Sequence, residues 1–80
     1  MMQLSVKESE VFSYIIEGFS NGEIATRMGI AEKTVKFHTT SIFKKANVNS
    51  RYKIIAEYYK NKLNQVLITN QVLNITKGSN

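Results

Sequence analysis

Between Lys33 and Lys53 the chain carries Lys33, Lys36, Lys44, Lys45, Arg51 and Lys53 and no acidic residue. Thr34, Phe37 and Thr40 are interleaved with these cations. Ammonium and guanidinium groups neutralise phosphates, hydroxyls donate or accept, and an aromatic ring packs against a base or its methyl group. This mixture is what a polyanion partner requires, although charge counting alone fits a plain solvated basic surface equally well. Other chemistries fall away. With no cysteine and one histidine, neither a thiolate site nor a clustered-histidine metal site is available. His38 has no nucleophile and orienting partner to join it in the sequence, so it reads as a packed, hydrogen-bonded histidine. Glu8 and Glu10 stand two apart, do not face each other on a helix, and read as helix N-terminal charges. No catalytic residue, cofactor or metal is expected, and the chain is not expected to be an enzyme.

The charge is unevenly placed. Residues 1–32 carry Lys7 and Arg27 against five glutamates, a balance of −3, whereas residues 33–80 carry nine cations against Glu57 alone, a balance of +8. Eighty residues bound a single small domain, whose limited core gains from a partner subunit. No stretch approaches the roughly 20 apolar residues of a membrane span, and the N-terminus lacks the basic-then-apolar pattern of a secretory signal. A cytoplasmic protein is expected.

Four helices must position these side chains, giving an all-α fold. Ser5 and Glu8 stand at capping-box spacing, Val11, Phe12, Ile15 and Ile16 form one stripe, and Gly18 supplies a stop, so the first helix is expected at about 5–17. Ser20 and Glu23 repeat the box, Ile24, Ala25 and Met28 make a short apolar face, and Gly29 ends a second helix over 21–28. The third helix is expected over 32–46. At 100° per residue, Val35, Thr39, Ile42 and Ala46 fall on one side with His38 at its edge, and Lys33, Lys36, Phe37, Thr40 and Lys44 fall on the other. Asn47 is a C-terminal cap. Ser50 caps a fourth helix over about 51–62, with Tyr52, Ile55, Ala56 and Tyr59 as its apolar face; Tyr58 and Tyr59 suit the core or a dimer contact. Residues 1–62 thus form the domain, and 63–80 a tail. The tail carries NQVLIT and then NQVLNIT without a clear helical period, and admits a helix extension or an added strand.

Leu4-Ser5, Glu8 and Glu10-Val11, then Ser20-Asn21 with Glu23-Ile24-Ala25, then Glu32-Lys33-Thr34-Val35-Lys36 with His38, and finally Val48 with Ser50-Arg51 resemble the LuxR/GerE-type helix-turn-helix, in register over roughly 4–59. The resemblance implies a four-helix DNA-binding domain that regulates transcription, usually as a dimer. It implies base contacts from Lys36, Phe37 and Thr40, and phosphate contacts from Lys33, Thr34, Lys44, Lys45 and Arg51, joined by Ser20 and Asn21 at the start of the second helix. It implies a homodimer contact from Tyr52, Ala56 and Tyr59. Three positions depart from the family pattern: Ala31 replaces a frequent capping Ser, Gly22 a common Lys, and Phe37 a smaller aliphatic residue. With three residues ahead of the first helix, the layout resembles the stand-alone GerE type. Double-stranded DNA is the expected partner, with RNA polymerase or another regulator a further one. The rival expectation is a protein-interaction module that pairs with a full-length relative or the transcription machinery and inhibits it.

Overall fold

The computed structural model describes residues 3–78, and side chains as far as Val66. Four helices follow in order: α1 (Val6–Ile16), α2 (Asn21–Met28), α3 (Glu32–Ala46) and α4 (Arg51–Gly78), with no strand among the described residues. Both expected capping boxes form. The Glu8 amide donates to Ser5 Oγ at 3.1 Å while the Ser5 amide donates to Glu8 Oε1 at 2.9 Å; Glu23 and Ser20 exchange the same pair at 3.2 and 2.8 Å. Each box satisfies two amides that the first turn leaves unpaired.

Gly29, at φ +67°, ends α2 in the left-handed conformation that a side chain disfavours. Three residues later α3 begins. Asn47, at φ +57°, ends α3 in the same way, and the Lys53 amide donates to the Ser50 hydroxyl at 3.1 Å at the start of α4.

The core is a single cluster. Val11 and Ile15 of α1, Ile24 and Ala25 of α2, Val35 and Ile42 of α3, and Ile54 of α4 are buried, with Thr39 beside them on the inner side of α3. Helix α3 packs against both α1 and α2, so its rotation is fixed by Val35, Thr39 and Ile42 together.

Helix α4 departs from expectation in phase, and of the two forms open to the tail, helix extension or added strand, it takes the first. Among its described side chains the buried one is Ile54, with Ile55 and Tyr58 partly buried, whereas Tyr52, Ala56 and Tyr59 are exposed. Apolar side chains lie on several sides of this helix, so periodicity alone does not choose the inward one. The choice is made by α1: the Tyr58 ring meets Phe12 edge-on, centroids 5.8 Å apart. The helix also continues past the expected end near 62, to Gly78. No Gly or Pro occurs between Arg51 and Lys77 to stop it. Among the described residues no helix is long and apolar enough to cross a membrane.

Candidate nucleic-acid interface

The outward side of α3 follows directly from its inward side. With Val35, Thr39 and Ile42 held in the core, Lys33, Thr34, Lys36, Phe37, Thr40 and Lys44 are all exposed. Phe37 is the unusual member, since 70% of it faces solvent although the ring has a substantial apolar area to bury. Among the described residues its ring neighbour is His38, edge-on with centroids 5.7 Å apart. His38 is half-buried, as expected, but among the described residues it makes no side-chain hydrogen bond.

The Thr40 hydroxyl donates to the Lys36 carbonyl at 2.9 Å. That bond uses the proton inside the helix and leaves the oxygen lone pairs outward, so Thr40 stands ready as an acceptor and donates only after its hydroxyl rotates. Thr39, on the buried side, donates to the same carbonyl at 2.9 Å.

The residues expected at phosphates divide into two groups. Lys33, Thr34 and Lys44 lie open on the outer face. Lys45, Arg51, Asn21 and Ser20 are engaged within the molecule. Lys45 Nζ pairs with Glu8 Oε1 at 2.7 Å, and the Ser41 hydroxyl donates to the other oxygen of the same carboxylate. Glu8, 6% exposed, is therefore a buried anion that receives the Ser5 amide, a hydroxyl and an ammonium. Those donors, Lys45 first, hold its carboxyl down to about 2. Linear spacing gave no sign of this tie, because Ser41 and Lys45 lie 33 and 37 residues away.

Arg51 forms a second tie. Its guanidinium donates to Asn21 Oδ1 at 2.9 Å and to the Phe19 carbonyl, while burial pushes it below the ordinary arginine value. The start of α4 is thereby fastened to the start of α2. Ser20 Oγ, in the same corner, accepts the Glu23 amide, and the Ser20 amide holds the Glu23 carboxylate below its ordinary range. Arg27 covers the Phe19 ring at 4.1 Å and stiffens this corner further. At Gly22 a Cβ would stand 3.1 Å from Glu32 Oε1, so a side chain at this position would meet that carboxylate. Tyr52, Ala56 and Tyr59, expected at a dimer contact, lie exposed on α4, with the Tyr59 hydroxyl 3.3 Å from the Ile16 carbonyl.

A short helix, a three-residue turn and a longer helix with a core face and a basic, aromatic outer face define a helix-turn-helix domain. Residues 2–58 match the GerE family, described as bacterial regulatory proteins of the luxR family, and the chain belongs to that family. It is 37% identical over 57 residues to the probable transcriptional regulator ycf29 of Guillardia theta, covering 71% of this chain and 27% of that protein. The transcriptional regulatory protein DegU of Brevibacillus brevis is 41% identical over 58 residues, covering 72% and 25%. Among solved structures, the response regulator StyR superposes with a TM-score of 0.68 at 38% identity, covering 72% of this chain and 29% of that one. The chain thus spans between a quarter and a third of the length of these relatives.

Proposed function

We propose that this chain is a sequence-specific DNA-binding transcriptional regulator that lays α3 in the major groove. The observation that carries the reading is the outer face of α3, where an exposed phenyl ring stands among Lys33, Lys36, Thr40 and Lys44 with no carboxylate between them in sequence. Lys36 donates to guanine O6 or N7, Phe37 packs on a thymine methyl, and Thr40 bonds a base edge. Lys33, Thr34 and Lys44 fix the helix on the backbone by neutralising or bonding phosphates.

Lys45 and Arg51 have a different part in this reading. Arg51 is held by neutral oxygens, so its positive charge acts at phosphates from a fixed place, without the entropy cost of freezing a free side chain, whereas Lys45 is balanced by Glu8 and must share its ammonium between that carboxylate and a phosphate. Asn21 and Ser20 set the first amides of α2 toward the same strand. The protein acts as a dimer through Tyr52, Ala56 and Tyr59, on two half-sites about one turn, roughly 10 bp, apart.

Selection from a random DNA pool, followed by titration of the selected site, tests the reading. Lys36→Ala should lose about 1–3 kcal/mol on that site and discriminate less between sites, whereas Lys44→Ala should weaken all DNA about equally. A Lys36→Ala variant that binds the selected site as tightly as the wild type refutes the base contact. Capture of a regulator or polymerase subunit without any salt-sensitive DNA affinity would favour the rival role as an interaction module.

A further inference from the structure

We propose that α4 is one strand of a parallel, in-register two-stranded coiled coil, and that its partner is a second copy of this chain. Tyr52, Ala56, Tyr59, Leu63 and Val66 follow one another at steps of four, three, four and three residues. That is the alternation of core positions in a heptad repeat. All five are exposed, Leu63 at 57% and Val66 at 48%, so the domain's own core does not use this seam. In the sequence the same steps arrive at Asn70 and then Leu73.

The length of α4 calls for a partner. Residues 60–66 are exposed throughout, a stretch of about 10 Å without a partner in the domain's core, and the helix continues to Gly78. From Lys60 on, the sequence is rich in Asn, Gln, Thr and β-branched residues, which are weak helix formers, and isolated helices of this length are marginal in water. Packing along the seam supplies what propensity lacks.

Charge selects a second copy in parallel. The lysines flanking the seam are Lys53 and Lys60 on one side and Lys62 on the other. In a parallel pair, Lys60 opposes position 55 and Lys62 opposes position 67 of the partner strand, which are Ile and Leu. No two cations meet. The family match stops at residue 58, so the second half of the seam lies outside it. The inference rests on the proposed dimer only for its first half, Tyr52 to Tyr59.

The chain has no cysteine, so single-cysteine full-length variants give unambiguous cross-links. Leu63→Cys and Val66→Cys should each oxidise to a covalent dimer without DNA, because identical seam positions oppose each other at disulfide distance, about 6 Å between Cα atoms. Asn61→Cys, on the far side of the strand, should not. Light scattering should find the wild type dimeric and Leu63→Glu monomeric, with the ellipticity at 222 nm falling. Equal cross-linking at 61, 63 and 66, a dimer that survives Leu63→Glu, or a monomeric wild type that binds lipid vesicles instead would each overturn the proposal. A dimer that fails to link at 63 and 66 overturns the coiled coil but leaves the proposed dimer standing, and loss of DNA binding bears on neither cross-link.

Discussion

Replacing Ala31 by Ser should stabilise the protein. Ala31 occupies the N-cap of α3 at φ −70° and ψ 145°, the same extended region as Ser5 at −66° and 170° and Ser20 at −76° and 166°. Both serine side chains accept the amide three residues on, whereas Ala31 has no side-chain oxygen to offer. The Thr34 amide turns instead to the Ala31 carbonyl at 3.0 Å, a carbonyl that also receives Val35 at 3.2 Å. A serine at 31 relieves this sharing without moving the backbone. A missing cap costs about 0.5–2 kcal/mol. Because the Thr34 amide is already partly satisfied, and Thr34 cannot return the second bond of a capping box, the gain should lie at the lower end, about 0.5–1 kcal/mol. For a domain of this size that raises Tm by about 2–8 °C. The assay is thermal unfolding by circular dichroism at one fixed protein concentration, with Ser20→Ala as the reverse control, expected to lose about 1 kcal/mol. An unchanged Tm for Ala31→Ser beside a lowered one for Ser20→Ala would refute the reasoning.

Acid should unfold the wild type partly through Glu8. Its carboxyl sits at about 2 in the fold against 4.5 ordinarily, so its contribution is complete above 4.5 and is lost as pH falls toward 2. Glu8→Gln should therefore flatten the fall in urea midpoint across that window, and an unaltered slope would show that the Lys45 pair does not hold the carboxylate. In the core, Ile54→Ala should cost about 2–5 kcal/mol, a large part of the roughly 4–12 kcal/mol available to a domain of this length. Val6, 84% exposed, should tolerate Ala within about 0.5 kcal/mol in the same denaturant titration.

The bounds of α2 and α3 were legible in the sequence because their signals are local. Ser20 with Glu23, Gly29 and Asn47 each act within one turn of themselves. The outer face of α3 was legible for a related reason: Val35, Thr39 and Ile42 share one strip, and only one rotation buries all three. Contacts between residues far apart in the chain were not. Glu8 looks like an ordinary helix-start charge until α3 brings Ser41 and Lys45 against it, and Arg51 looks like a free cation until Phe19 and Asn21 arrive. In α4, six apolar residues between Tyr52 and Tyr59 compete for the inward side, and Ile54 wins through the position of α1 rather than through its own spacing. The length of α4 was obscured by a conflict between two local rules: nothing stops the helix, yet its later residues are poor at forming one.

Arg51 has a mechanical consequence as well as an electrostatic one. Its bonds to Phe19 and Asn21 clamp one end of a 28-residue helix, which makes α4 a lever pivoting near the corner that presents α2. A rod of about 42 Å turned by about 5° at its clamped end sweeps its free end through about 4 Å, a little more than one strand of DNA advances in one base pair. If two such levers are joined along their length, the angle at Arg51 becomes a gauge of the distance between the two reading helices. Loosening the clamp would then alter which half-site spacings are tolerated before it altered which bases are read.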